Sequence, residues 1–150
     1  MTTETNRELI AEVLATADAF LREGPRLLKP HGLTVAQFNV LNVLAESDSP
    51  TGLSQRELSD ELVVDRSNVT GLLDRMEKAG WVRRVDDPND RRIYRVQLTG
   101  EGRRLWNEVA PRYTTVVTQV TRGLTDRQAR DTLVALGKLK AAARGWKLPL

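Results

Sequence analysis

Arginines crowd one short stretch of this chain: Arg83 and Arg84, then Arg91, Arg92 and Arg95, on either side of the turn-forming run Asp86-Asp87-Pro88-Asn89-Asp90. Arginine carries a permanent charge and a planar fork of donors. On an exposed ribbon it suits phosphate oxygens and the narrow, strongly negative minor groove of a duplex. Just upstream, Arg66, Ser67, Asn68, Thr70, Arg75 and Lys78 set cations and short hydrogen-bonding side chains close together. Such groups match base edges and phosphates. A plainer reading stands beside each. Any amphipathic helix has a polar outer face, and Asp86, Asp87 and Asp90 would also make a solvated ion-pair loop with the arginines. Asp74 opposes a polyanion unless Arg75 or Lys78 neutralises it.

Other chemistries are poorly served. Cysteine is absent, which removes disulfides, thiolate metal sites and cysteine nucleophiles together. His31 is the one histidine, so multi-histidine metal sites are excluded, and its place in a connection marks it as a plain loop residue. There is no Gly-rich phosphate loop, no carboxylate pair in an apolar setting and no partner set for a nucleophilic serine. Neither an enzyme nor a metal or cofactor is expected. The net charge of +3 and pI ≈ 9.6 permit a polyanionic partner without requiring one. At 150 residues, 40% hydrophobic and 29% charged, the chain has room for a single domain with a core of its own. Met1-Thr2-Thr3-Glu4-Thr5-Asn6 lacks a basic stretch leading into an apolar one, so a cytoplasmic location is expected.

The positioning elements begin with one repeated signal. Leu33-Thr34-Val35-Ala36-Gln37, Leu53-Ser54-Gln55-Arg56-Glu57 and Leu124-Thr125-Asp126-Arg127-Gln128 each place a hydroxyl residue three positions before Glu or Gln. That is the capping box, and it starts three helices. Leu9, Ile10, Val13, Leu14, Ala17, Phe20 and Leu21 form a stripe whose phase Leu27 and Leu28 continue, predicting a long first helix, kinked or broken at Gly24-Pro25. A short helix from Ser54 to about Leu62 precedes another from Asp65 to Lys78, closed by Gly80. On the latter, Val69, Leu72, Leu73 and Met76 share the core side. Ser67, Gly71, Asp74 and Lys78 face away, and Gly71 would let the helix axis approach a groove. Alanine at Asn68 or Arg75 is therefore expected to weaken DNA binding without lowering thermal stability. The period then becomes two over Trp81–Val85 and Ile93–Leu98, which predicts a two-stranded hairpin. Helical spacing returns over 105–120, with a kink at Pro111, and over about 126–143.

Helix, tight connection, helix and charged hairpin is the order of a winged helix-turn-helix. The fold expected is mainly α, with a small β-hairpin wing and flanking N- and C-terminal dimerisation helices. Its DNA-binding lobe spans about 33–98, and the dimerisation helices about 5–30 and 99–145. The flanking stripes must bury against one another or a second chain, and a two-fold dimer is the simplest solution. A monomeric six-helix bundle is the alternative.

At this point the residues resemble a known family. Gly32-Leu33-Thr34-Val35-Ala36-Gln37-Phe38, Arg66-Ser67-Asn68-Val69-Thr70, Leu73-Asp74-Arg75-Met76-Glu77-Lys78-Ala79-Gly80-Trp81-Val82, Asp87-Pro88-Asn89-Asp90-Arg91-Arg92 and Val96-Gln97-Leu98-Thr99-Gly100-Glu101-Gly102 follow in unbroken order over about residues 32–105. The stretch is similar to the multiple-antibiotic-resistance regulators, the MarR family. The resemblance implies a homodimeric winged-helix regulator of transcription, usually a repressor, bound to a pseudo-palindromic operator in double-stranded DNA and often released by a small ligand. It also implies that Asp90 braces the wing-tip Arg92, with Arg91 beside them. A ligand cavity would lie among Phe20, Phe38, Leu41, Trp106 and Tyr113, with Arg26 or Arg112 holding an anionic group. Core packing is the plainer role for each ring. An effector there would be small and aromatic, a phenolic or carboxylated ring. Two other functions fit the same pattern: a winged-helix module for protein–protein contacts, and a nonspecific architectural DNA-binding protein.

Overall fold

The computed structural model describes residues 2–62 and 68–147. Helix α1 spans Thr3–Leu28, capped by Thr2, and a single 3₁₀ turn, Lys29–His31, follows it. Then come α2 (Val35–Glu46), β1 (Leu53–Ser54), α3 (Gln55–Glu61) and α4 (Val69–Lys78). Strands β2 (Val82–Asp86) and β3 (Tyr94–Leu98) precede α5 (Gly100–Thr121) and α6 (Asp126–Gly145). The chain forms two units, Met1–Tyr113 and Thr114–Leu150.

All three capping boxes form. Thr34 N–H donates to Gln37 Oε1 at 2.9 Å while Gln37 N–H donates to Thr34 Oγ at 3.2 Å; the Ser54–Glu57 pair does the same at 2.7 and 3.2 Å, and the Thr125–Gln128 pair at 2.9 and 3.3 Å. Of the two alternatives at Gly24-Pro25, a break is excluded, because helix α1 runs through both. Pro25 forfeits one backbone bond, yet its carbonyl accepts the Lys29 N–H and Leu28, still in phase, reaches the core. Helix α4 starts at Val69 rather than Asp65, because Asn68 is its N-cap and accepts the Gly71 N–H at 3.1 Å. Asp65, Arg66 and Ser67 lie outside the described residues.

The expected hairpin is one part of a larger sheet. Strands β2 and β3 pair antiparallel from Val82↔Leu98 to Asp86↔Tyr94, and β1 adds a third strand on the far side of β3, with Leu53↔Val96 and Ser54↔Arg95. A strand of two residues is too short for alternation to register in sequence. Side chains of β3 hold it in place. The Gln97 amide donates to the Thr51 carbonyl at 2.9 Å and Arg95 to the Gly52 carbonyl at 3.3 Å.

The core of the first unit joins Phe38, Val40, Leu41 and Leu44 of α2, Leu58 of α3, Val82, Val96, Leu105 and Val109. Val69, Leu72, Leu73 and Met76 supply the buried face of α4 as their spacing predicted. Burying each such side chain contributes about 1.5–3 kcal/mol relative to exposure, so the orientation of α4 is firmly set. His31 is not a plain loop residue. Its side chain is 7% exposed and its Nδ1 lies 2.9 Å from Glu108 Oε1, which fastens the turn to α5. In the second unit α6 buries none of its residues: Leu133, Val134 and Leu136 are exposed.

The start of α5 is fixed by close approach. Thr99 N–H donates to the Trp81 carbonyl at 3.1 Å, and the Thr99 hydroxyl donates to the Gly80 carbonyl at 2.6 Å and accepts the Gly102 N–H at 3.0 Å. A Cβ on Gly102 would run into the Trp81 carbonyl oxygen, which is backbone and has little freedom to yield. Gly102→Ala is therefore expected to lower stability by about 1–3 kcal/mol, read as a lower urea midpoint with unchanged slope.

Candidate nucleic-acid interface

The outer face of α4 presents Thr70, Asp74, Arg75 and Lys78, all exposed, with Asn68 at its tip. Each is set by a different constraint. Thr70 Oγ accepts the Gln55 amide at 2.7 Å, which ties α4 to α3. Asn68 Oδ1 is committed to the cap. Gly71 has a reason other than groove access, since a Cβ there would collide with Asn68 Oδ1. Among the described residues Arg75 and Lys78 have no ion-pair partner, which leaves both cations available to phosphates. Asp74 is neutralised by neither of them. Arg84, reaching across from β2, donates to Asp74 Oδ1 at 2.6 Å, to Glu77 Oε2 at 2.6 Å and, through its backbone N–H, to Glu77 Oε1 at 3.0 Å. Burial alone would lower the Arg84 pKa, but these bonds outweigh it and hold the guanidinium above its ordinary value.

Most arginines of the hairpin are likewise committed internally. Arg83 donates twice to Gln97 Oε1, at 3.2 and 3.0 Å. Arg95 donates to Asp87 Oδ2 at 2.5 Å and to Glu57 Oε2 at 2.9 Å. Asp87 is 5% exposed, not a solvated loop acid. It accepts the Asn89 and Asp90 N–H groups at 2.8 and 3.1 Å, so one carboxylate both shapes the turn and anchors Arg95. The Arg95 bond, then the Asn89 N–H, hold its carboxyl below the usual carboxylate range. That leaves Arg91 and Arg92 at the tip. Asp90 Oδ1 accepts the Arg92 backbone N–H at 3.0 Å and its Nε at 3.1 Å, and Oδ2 accepts Nη2 at 3.1 Å. The Arg92 side chain is nonetheless 89% exposed. It is an oriented cation in open solvent.

The residues weighed for a ligand are only partly assembled. Phe38 and Tyr113 meet with ring centroids 5.2 Å apart, and Leu41 is fully buried. Trp106 is half-buried, its indole donating to Asn42 Oδ1 at 3.0 Å beneath the Arg103 guanidinium. Phe20 is 47% exposed, Arg112 is exposed, and Arg26 pairs with Glu23 at 2.8 Å. An open cleft of about 350 Å³ lies elsewhere, between the 47–52 loop and the start of α5, with Leu44, Ser49, Leu98, Thr99 and Arg103 in its walls.

Residues 31–93 match the MarR family model. The transcriptional regulator TtmR of Methylorubrum extorquens is 37% identical over 144 residues, 95% of this chain and 72% of that protein. The chain belongs to the MarR family. The transcriptional activatory protein BadR of Rhodopseudomonas palustris is 36% identical over 107 residues, 71% of this chain but only 61% of BadR. Among solved MarR-like structures, the M. tuberculosis regulator MOSR in complex with DNA shares 29% identity and superposes with a TM-score of 0.69, over 90% of this chain and 97% of that one. CouR of Rhodococcus jostii RHA1, bound to p-coumaroyl-CoA, shares 32% identity with a TM-score of 0.70, over 85% and 90%. The MarR winged helix-turn-helix is thus the architecture that α3, α4 and the β2–β3 wing adopt here. Among the described residues no helix is long and apolar enough to cross a membrane.

For this MarR-family chain the residue types on the outer face of α4 and at the wing tip are legible in sequence, but not their internal partners. The roles of Arg84 and Asp87 were missed, and so was the pairing of Glu57, placed correctly in its capping box, with Arg95. The signal for Asp87 lay in Asp87-Pro88-Asn89-Asp90, where an aspartate opening a turn accepts the N–H two residues on. Arg84 and Glu57 join elements remote in sequence and left none. Two outcomes follow from these contacts. Asn68→Ala removes a helix cap and is expected to lower stability by about 1 kcal/mol, contrary to the sequence expectation, whereas Arg75→Ala leaves the thermal midpoint unchanged. Paired thermal melts and DNA titrations separate the two. Asp87 has a depressed pKa, so its contribution is present above the ordinary aspartate value, about 3.9, and is lost as pH falls through its lower folded value. Stability of the parent should therefore drop below about pH 4, and Asp87→Asn should show a shallower acid limb in urea midpoints taken across that range.

Proposed function

We propose that this chain is a sequence-specific DNA-binding regulator of transcription, acting in the cytoplasm as a homodimeric repressor rather than as an enzyme. The observation that carries the reading is the pair of displays from one lobe. Asn68, Thr70, Arg75 and Lys78 stand on the exposed side of α4, and the braced Arg92 stands beside Arg91 at the wing tip. A helix of this width fits the major groove and exposed arginines fit the adjacent minor groove. Arg66 and Ser67 belong to the same proposed surface by sequence. The solved complex of MOSR with DNA supports the partner.

Two further parts of the proposal rest on other observations. Leu9, Ile10, Leu14 and Leu21 of α1 and, in the second unit, Leu133, Val134 and Leu136 of α6 are exposed along the predicted dimerisation helices, on each an apolar surface of the kind that marks an interface. A second copy covers it and sets two reading helices about 34 Å apart on one face of a pseudo-palindromic site. Control by a small aromatic or phenolic ligand is supported by CouR, solved with p-coumaroyl-CoA. Phe20, Arg26, Phe38, Leu41, Trp106, Arg112 and Tyr113 are the residues proposed to receive it. Such a ligand shifts the dimer only by the difference in its affinity for DNA-free and DNA-bound geometries.

Titration of the purified protein into labelled DNA from upstream of its own gene, with unrelated competitor, tests the central claim. Selective binding supports it. Equal binding to competitor indicates an architectural role, and no binding indicates a protein–protein module. Arg91→Ala with Arg92→Ala is expected to weaken binding and flatten its salt dependence by about one unit of slope per lost phosphate contact. Asp90→Ala is expected to weaken binding too, although it removes a negative charge. Tighter binding by Asp90→Ala would show that charge, not orientation of Arg92, governs the wing.

A further inference from the structure

We propose that Asp74 reads the operator directly, its outer carboxylate oxygen accepting a hydrogen bond from an exocyclic amino group in the major groove, N4 of cytosine or N6 of adenine. The inference rests on the DNA-binding reading above. Asp74 lies on α4 opposite the buried Leu72, Leu73 and Met76, one turn beyond Thr70 and one turn before Lys78, with its side chain 60% exposed. Oδ1 is taken by Arg84 Nη2. Oδ2 has no hydrogen bond among the described residues. Arg84 is itself fixed from a second side, because Glu77 spends both of its oxygens on the Arg84 Nη1 and backbone N–H. An exposed aspartate ordinarily samples several rotamers. This one is pinned at one oxygen and free at the other, and base readout requires that kind of fixed acceptor.

Charge leads to the same assignment. One guanidinium faces two carboxylates, so Arg84, Asp74 and Glu77 together leave an excess of negative charge beside the surface that meets DNA. Against phosphates that charge costs affinity whatever the sequence. Against base edges it discriminates. A carboxylate opposite guanine O6 or thymine O4 sets acceptor against acceptor, whereas the amino group of cytosine or adenine satisfies it. An unpaired charge that penalises wrong partners is an established way to gain specificity at the expense of affinity. Arg75, Lys78, Arg91 and Arg92 restore the attraction that Asp74 removes.

Selection from a randomised duplex library, with the parent protein, Asp74→Ala and Asp74→Asn, tests this. Arg84 keeps Glu77 in both variants, so both should fold, which a parent-like thermal midpoint checks. The parent is expected to enrich an amino-bearing base at one position of each half-site. In Asp74→Ala that preference alone disappears, with discrimination at the position falling by at least about fivefold while affinity for mismatched duplex rises. In Asp74→Asn discrimination against guanine and thymine weakens, because an amide can donate to O6 or O4. Enrichment identical to the parent in both variants would overturn the inference and reduce Asp74 to a counter-ion for Arg84. A parent that enriches no sequence overturns the regulator reading itself and this inference with it.

Discussion

Arg95 is the residue on which the arrangement of the winged lobe depends. It stands on β3 and reaches in two directions, to Asp87 at the base of the wing turn and to Glu57 in the first turn of α3, with the Gly52 carbonyl alongside. Each partner is already engaged. Asp87 holds two backbone N–H groups of the turn, and Glu57 closes the capping box on Ser54. The cap on Ser54, then the Arg95 charge among smaller influences, holds the Glu57 carboxyl below its ordinary range. One guanidinium therefore joins the turn, the edge strand and the helix that supports α4. Hydrogen bonds to charged groups contribute more than neutral ones, and losing one partner of a buried charge leaves the other uncompensated. The wing tip can be exposed because its base is not.

A second junction works by shape rather than charge. Helix α4 ends at Lys78, Gly80 turns the chain through a left-handed conformation, and α5 starts against Gly80 and Trp81. Thr99 bonds on both sides of the contact, and the missing side chain of Gly102 lets the helix sit on the Trp81 carbonyl. The start of α5 is thus fastened to the short segment that joins α4 to β2.

Sequence patterns captured what is local and missed what is remote. Capping boxes, the core face of α4 and the β2–β3 alternation are encoded within a few residues, and all three proved right. The MarR resemblance supplied the Asp90–Arg92 brace on the same local scale. Failures have distinct causes. Leu53–Ser54 forms a strand because Arg95 and Gln97 recruit it from forty residues away, and nothing local announces that. Pro25 marks a helix break by propensity, yet the burial of Leu28 and an intact bond from Lys29 to the Pro25 carbonyl carry the helix through. The type of Asn68 suits a base edge, but the same carboxamide suits a helix cap, and the cap shows only once the backbone start at Val69 is known. The candidate ligand residues came from the MarR resemblance, and ring spacing alone does not separate a lined cavity from a packed core.

The cap of α4 has a consequence for how such a protein can diverge. Asn68 Oδ1 occupies the space that a side chain at position 71 would need, so the two positions are not independent variables. A larger residue at 71 becomes admissible only after 68 withdraws, and a change at 68 alone leaves the helix start uncapped. Substitutions at 68 and 71 are thereby coupled through one cap, whereas Arg75 and Lys78 further along α4 carry no such constraint.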